Sequence, residues 1–515
     1  MTTPFRNRTR ELCLLLAIAA LAPAGHANAQ QTPAQAPPPK QPLPGSVRGE
    51  ATSSPTVVDP KLAEQAAEGV KAPSAPQPPA YQDLRYLENW GVLRDPALRT
   101  DPLDRIKYIP LGNSGAYTSI GGELRARFDY IRNPTFYPIP EENVTTLLQR
   151  YMFHADTHFN NNVRLFTQFA SAFENGKKFG PWPTDENTAE IRQAFLELGA
   201  TENPARSILV RVGRQELAFG QSHFISPGDF FNTRRSFDGV RVQAFRDSLE
   251  FNAFFTKPVQ INRGAFDDSP EHRQTFYAAS VFANNPITRQ GRTAIFYIGL
   301  DSKMWCWQRG CGRDQRHTLG LRILGTRENL DYVYEWLNQW GTFQESTPIR
   351  AWAVTTDTGY TFPGWRFYPR FGVRMNATSG DKGGSLGTFN PMFPDHAYSG
   401  RIGLIGPSNN IDITPNARLA LTRRIYFIPD VAFFWRTSTR DGIYGIASPY
   451  LAVPTGSSRE RYIGTHISLP TQFVINRHLT YTIGFTQFFA GAFIKSLNPP
   501  GKSVTFLTTF LTYRF

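Results

Sequence analysis

From about Tyr117 to its last residue, the sequence alternates polar and apolar residues with a period of two, in runs of about 8–14 residues. In Ser119-Ile120-Gly121-Gly122-Glu123-Leu124-Arg125-Ala126-Arg127-Phe128-Asp129-Tyr130 the odd positions are polar or glycine and the even ones mostly apolar. Arg150, His154, Asp156 and His158 alternate with Tyr151, Phe153, Ala155 and Phe159, and Arg164, Gln168 and Glu174 with Val163, Leu165, Phe169 and Phe173. Later, Glu250, Asn252 and Thr256 alternate with Leu249, Phe251, Ala253 and Phe255. Side chains of a strand point to opposite faces in turn, so each run is a strand with one wet and one greasy face. A soluble sandwich gives the same pattern. Strands of this length, recurring along the whole chain, also suit a closed barrel that crosses a bilayer.

Composition and the C-terminus choose between the two. Aromatic residues make up 13% of the chain, with 40 Phe, 20 Tyr and 9 Trp. A mean hydropathy of −0.36 excludes a polytopic helical membrane protein. The chain finishes on Thr505-Phe506-Leu507-Thr508-Thr509-Phe510-Leu511-Thr512-Tyr513-Arg514-Phe515, where Leu507, Leu511, Tyr513 and Phe515 share a face. A strand that ends flush on an aromatic residue looks like the closing strand of a bacterial outer-membrane barrel. The fold expected is all-β, a transmembrane antiparallel barrel over residues 117–515.

Residues 1–29 read as a secretory signal peptide: Arg6, Arg8 and Arg10, the apolar run Leu12 to Ala22, then Ala27-Asn28-Ala29. Residues 30–80 hold 12 prolines among Ala, Gln and Ser and read as a disordered, Pro-rich tail, interrupted by a short helix from Asp59 to Val70. Residues 81–116 form a periplasmic lead-in. With Cys13 removed with the leader, Cys306 and Cys311 remain, and their spacing in an oxidising compartment predicts a disulfide that staples a loop.

Several stretches carry a more specific resemblance. They are Asp95-Pro96-Ala97-Leu98-Arg99, Asp101-Pro102-Leu103-Asp104, Lys107-Tyr108-Ile109-Pro110-Leu111, Gly121-Gly122-Glu123-Leu124-Arg125 and Ile191-Arg192-Gln193-Ala194-Phe195-Leu196. Val212-Gly213-Arg214-Gln215-Glu216-Leu217 and Asn232-Thr233-Arg234-Arg235-Ser236-Phe237-Asp238-Gly239-Val240-Arg241 follow, then Phe389-Asn390-Pro391-Met392-Phe393-Pro394, Phe434-Trp435-Arg436, Asp441-Gly442-Ile443-Tyr444-Gly445 and Arg461-Tyr462-Ile463-Gly464. In this order they resemble the alginate-export family over residues 83–515, more weakly between about 257 and 316. The resemblance implies an 18-stranded outer-membrane barrel with an arginine-rich pore for a negatively charged polysaccharide.

The charge is carried unevenly, by 44 Arg against 11 Lys, for a net +13. Arginine's planar fork pairs bidentately with carboxylates, which lysine does not do. Alternation sends Arg125, Arg127, Arg150, Arg164 and Arg241 into the lumen, and places Arg366, Arg370 and Arg374 on one face opposite Phe371, Val373 and Met375. Arg192 and Arg214 sit in matched motifs with irregular flanks, and Arg234 with Arg235 marks a turn or pore edge. These twelve are the candidate pore-lining residues. Inward acids such as Glu123, Asp129, Asp156, Glu174, Glu190 and Asp238 offer a competing role, a ladder of ion pairs that braces the wall.

No ordered nucleophile motif appears, and His154 and His158 stand too far apart on a strand to share a metal. No enzyme activity, cofactor or metal is expected. Lys177-Lys178 and Trp182 read as a solvated loop tip. The expected partners are outer-membrane lipid, an anionic polysaccharide or organic acid, and periplasmic polysaccharide-handling proteins, with no nucleic acid. The function expected is passage of an alginate-like uronate polymer or its fragments, export favoured over import. An anion-selective uptake porin for small acids and a structural or adhesive barrel with a blocked lumen stand as alternatives.

Overall fold

The computed structural model describes residues 80–515, except 114, 137–141, 200–205, 220–222, 286–289, 396–401 and 447–450. The signal peptide, most of the Pro-rich tail and the helix expected at Asp59 to Val70 lie outside the described residues.

Eighteen antiparallel strands form the wall. In chain order they are β1 (Tyr117–Arg132), β2 (Asn143–Asn160), β3 (Val163–Asn175), β4 (Asn187–Gly199), β5 (Arg206–Gln215) and β6 (Phe237–Arg246). Then come β7 (Leu249–Gln260), β8 (Gln274–Asn284), β9 (Gln290–Trp307), β10 (Gly310–Arg327), β11 (Leu330–Phe343) and β12 (Thr347–Thr361). The last six are β13 (Arg370–Thr378), β14 (Asn410–Thr422), β15, β16 (Tyr462–Val474), β17 (Leu479–Ala490) and β18 (Val504–Arg514). Strand β15 is interrupted: its pieces Ile425–Phe427 and Asp430–Arg436 both pair with β14 on one side and β16 on the other. The barrel closes where β1 meets β18, in a register running from Glu123↔Arg514 to Arg132↔Thr505. Each wall strand is thus paired on both sides among the described residues, which closes the ring.

The alternation read from the sequence sorts the side chains. Ile120, Phe128, Phe153, Phe169, Phe251 and Phe255 are exposed on the outer face, whereas Ser119, Glu123, Arg125, Arg127, Asp129, Arg150, His154 and Asp156 are buried inside. Two-residue turns such as Asn161-Asn162, Asp247-Ser248 and Arg423-Arg424 lie at the end where β1 begins and β18 finishes. By the rule of short periplasmic turns, this is the periplasmic end. At the other end the connections 216–236, 379–409 and 437–461 are long, and their described residues fold into the lumen.

The lumen is therefore a packed interior. On one side, Phe276, Phe282, Phe296, Ile298, Leu300, Leu337, Ile349 and Ala353 project inward from β8, β9, β11 and β12 and meet Phe219, Phe224, Ile225, Leu386, Phe389 and Phe393 from the infolded loops. Phe276 lies 4.9 Å from Phe393 and 5.8 Å from Phe237, ring centre to ring centre. The opposite side, β1 to β6, is filled by charge.

The hairpin of β9 and β10 is pinned by a disulfide between Cys306 and Cys311, which face each other across the turn at Gln308-Arg309. Arg309 reaches over to Asp381 in the 379–409 loop at 2.8 Å, which ties the stapled hairpin to an infolded segment.

Candidate functional site in the barrel lumen

The charged side of the lumen is built around the second half of the 216–236 loop. Arg125 of β1 donates to the carbonyls of Asp229 and Phe231, both at 2.7 Å. Arg127 bonds the Phe230 carbonyl, stacks over the Phe230 ring at 4.3 Å and pairs with Asp129 at 3.0 Å. Arg150 of β2 holds Glu123, the carboxylate of Asp229 at 2.8 Å, and the carbonyls of Asp229 and Phe231 at 2.9 and 3.1 Å. Asn232 donates to Gln149 and Phe173 on the wall and to Asp185, at 2.8–3.1 Å. A loop's backbone carbonyls need donors once water is excluded, and these side chains supply them.

Arg234 is 2% exposed. It bridges Glu216 at 2.7 Å and Asp229 at 2.6 Å and donates to the carbonyl of Asp83 at 3.0 Å. Arg235 donates to Ser226, Phe393 and Pro394, joining the 216–236 loop to the 379–409 loop. Both were read from the sequence as a turn or pore edge. They sit instead within an infolded loop, because their guanidinium groups are the donors that fix it.

From the periplasmic end the lead-in enters the same space. Asp83 pairs with Arg514 at 2.9 Å, and Arg85 donates to the carbonyls of Gly122 and Phe515, both at 3.0 Å. Tyr86 gives its hydroxyl to the Glu216 carbonyl at 3.1 Å and lies beneath the Arg211 guanidinium at 4.2 Å. Arg164, paired with Asp156 and Glu197, donates to the Tyr86 carbonyl at 2.6 Å. At the rim Asp101 meets His478 and Asp104 meets Arg477, at 2.9 and 2.8 Å. The lead-in and the infolded loop thus touch at Asp83, Tyr86, Glu216 and Arg234. The Gly121-Gly122 step makes room for this. A Cβ on Gly121 would lie 2.5 Å from both Lys107 Nζ and the His154 ring, and one on Gly122 would lie 2.7 Å from the Phe515 ring.

Lys107 is buried between the rings of Tyr81 and Trp90, at 5.2 and 5.0 Å, and its ammonium has no hydrogen-bond partner. Desolvation pulls its pKa down to about 7, against a smaller upward pull from Glu88. The same burial pushes the Tyr81 hydroxyl up to about 12.

The remaining arginines divide. Arg192 is buried and paired with Glu190, with Nε and Nη1 bonded to no acceptor. It faces inward together with Gln193 because the β3–β4 register shifts between Gln168 and Phe169. Arg241 points inward to Asn252 at 3.1 Å. Arg370 is gripped by Asp331, Asp357 and Asn416, at 2.6, 3.1 and 2.9 Å. Arg374 follows it on the inner face, with Nε unbonded.

Four expectations are corrected. Arg214 faces outward, paired with Asp238 at 2.8 Å, because counting by twos from inward Arg211 reaches Gly213 and Gln215 and skips Arg214. Asp238, expected inward, shares that outer face. Arg366 is exposed in the turn before β13 and stacks on Phe367 at 4.6 Å, since Pro363-Gly364 and Pro369 interrupt the strand pattern. Lys177 likewise is folded under Trp182 at 3.7 Å and paired with Asp185, where the sequence suggested a solvated tip.

Inward arginines that were not among the candidates include Arg211, Arg316, Arg322 and Arg436, each nearly fully buried. Arg316 and Arg322 did carry the signal, alternating with Leu319, Leu321 and Ile323. Arg85 carried none. Among the described residues no cluster of His, Cys, Asp and Glu is arranged to hold a metal.

A family model described as alginate export matches residues 116–505. No curated protein matches the chain. Among solved structures, the chain resembles Pseudomonas aeruginosa OpdQ at TM-score 0.53 and 11% identity, over 77% of this chain and 97% of that one. Pseudomonas aeruginosa OpdO matches at 0.51 and 12%, over 77% and 97%. Pseudomonas aeruginosa OccK2 (OpdF), solved in complex with glucuronate, matches at 0.50 and 8%, over 77% and 98%. At these identities the likeness is one of fold.

Proposed function

This chain belongs to the alginate-export family, and from that premise we propose that its barrel passes a uronate-bearing anionic polysaccharide, or fragments of one, outward across the outer membrane. That it is an outer-membrane channel follows from the family and the barrel. The observation that carries the finer reading is the inward arginine face. Arg192 and Arg374 hold N–H donors that no protein group takes, and Arg125, Arg127 and Arg150 bind loop carbonyls that a carboxylate could replace. A carboxylate is the stronger acceptor for a guanidinium, so a uronate chain can compete for these donors as it advances. The proposal requires the 216–236 loop and the lead-in to move aside. Glucuronate, the ligand held by the OccK2 barrel, is a uronate of the kind invoked.

A second reading, uptake of small acids, is favoured by the packed lumen itself, since a single sugar acid needs less of the loop displaced. One experiment separates them. In planar bilayers the full-length channel should prefer anions, and Arg374→Glu should lower that preference severalfold. A long polyuronate should block the current from the periplasmic side, while a neutral glucan of equal length should not. Cation preference in the unmutated protein would overturn the arginine argument. Anion preference without polyuronate block would favour small acids.

A further inference from the structure

On the outer wall, away from the lumen, a cavity of about 500 Å3 opens across β8 to β12, lined among others by Asp301, Gln315, His317, Trp340 and Arg350. Its height in the membrane can be read from the strands. Descending β10 from its outer end, the outward residues are Arg313, Gln315 and His317, then Leu319 and Leu321, which are exposed to lipid. Descending β12 they are Arg350, Trp352 and Val354, and climbing β9 they are Ile295, Tyr297, Asp301 and Lys303. The cavity therefore straddles the step from apolar belt to polar rim on the outer side, at headgroup height.

Its walls are built. Tyr297 bonds His317 at 2.6 Å, and Tyr277, Tyr297, His317 and Trp340 form a run of rings with centres 5.8–6.2 Å apart. Above them Asp301 is neutralised by Arg313 at 2.6 Å and accepts from Gln315 at 3.3 Å. Lys303 is exposed beside them, and the Arg350 side chain, opposite Trp340 in the register, is exposed without a hydrogen bond or ion pair. With Asp301 already paired, the charge the cavity offers a ligand is positive.

We propose that this cavity seats the headgroup of a phosphorylated glycolipid of the outer leaflet, with a phosphate on Arg350, Lys303 adding positive charge at the opposite rim, a sugar ring against Trp340 and its acyl chains along Ile295, Leu319 and Trp352. Charge complementarity favours a phosphate, and the aromatic wall beside polar Gln315 and Thr342 favours a sugar over a bare glycerol headgroup. The site is independent of what the lumen carries.

The test is native mass spectrometry of the full-length protein in detergent, titrated with bisphosphorylated lipid A, the same lipid A dephosphorylated, or phosphatidylglycerol. One lipid A should be retained per barrel, with weaker retention of both others. Arg350→Ala combined with Lys303→Ala should lower lipid A occupancy about tenfold, the loss expected for charge-assisted hydrogen bonds. Arg366→Ala, which removes an exposed arginine from the periplasmic turn, should leave it unchanged. Heat-modifiable migration on gels verifies that each variant is folded. Equal binding of phosphatidylglycerol, or equal loss in the Arg366 variant, would overturn the proposal by reducing the effect to general charge.

Discussion

Two halves of one lumen are filled by opposite means. Along β1 to β6 the interior is a lattice of guanidinium groups, carboxylates and loop carbonyls. Along β8 to β12 phenylalanines and aliphatic residues predominate, enclosing a few buried ion pairs such as Arg316–Asp314 and Arg322–Glu335. The 216–236 loop belongs to both, since Leu217, Phe219, Phe224 and Ile225 pack into the apolar half while Asp229 to Arg234 are gripped by the charged one. Apolar packing is non-directional and finds no better partner in a polar solute. The charged grip is directional, and in the function proposed above an anion replaces its carbonyls one by one. The halves thus divide the work into a fixed anchor and an exchangeable latch.

The largest effect should come from breaking the latch. Arg150→Ala leaves Asp229 and Glu123 with one partner fewer and Glu123 Oε1 without a donor, and removing one partner from a buried ion pair costs up to about 3–5 kcal/mol. Open-channel current should rise severalfold, and hydrogen exchange should quicken over 229–236 while 217–225 stays protected. Unchanged current would mean that the anchor alone holds the loop. Removing the anchor should have a somewhat smaller and different effect. Phe276→Ala, from a fully buried site, should lower the temperature of the heat-modifiable transition, for a loss of about 3 kcal/mol. Ion selectivity measured by reversal potential should be unaltered, and a selectivity change would show that the halves are not independent.

The smallest effect tests whether the lead-in is part of the latch. Lys107 docks with a pKa of about 7 and has an ordinary value of 10.5, so between these pH values the undocked form binds more protons. Docking should therefore strengthen as pH rises from 7 toward 9, by at most about 1.4 kcal/mol per unit, and should show no slope from this group below 7. Glu88, Asp104, Arg85, Arg477 and His154 also face the ammonium, and Tyr81 opposes the trend only above about pH 10. Hydrogen-exchange protection of residues 83–93, corrected for intrinsic rate, should show the slope in the native protein and lose it in Lys107→Met. A slope that survives the substitution would assign it elsewhere.

The wall was legible because a period of two needs no tertiary information. It placed Arg125, Arg127, Arg150, Arg164, Arg241, Arg370 and Arg374 on the inner face. It failed where the period was masked, by side-chain-less Gly213 next to Arg214, or broken, by the proline-bounded turn around Arg366. What fills the lumen could not be read, because an infolded loop has no period. Its partners, such as Arg125 and Phe231, are 106 residues apart and meet only in three dimensions. The competing role for inward acids proved physical in Arg150–Glu123, Arg127–Asp129, Arg164–Asp156 and Arg192–Glu190. These pairs coexist with donors left over.

The bond from Arg85 to the carbonyl of Phe515 spans 430 residues. It cannot form until the last residue has been synthesised and β18 has zipped against β1. The residues at the head of the described chain are thus among the first to leave the ribosome and among the last to find their place. Loop-closure entropy grows only slowly with such a span, so the delay is one of sequence of events more than of energy. A barrel truncated or misregistered at its final strand offers Arg85 and Asp83 no partner at Phe515 and Arg514, and its periplasmic mouth stays unsealed. The lead-in and the final strand together report that the ring between them is complete.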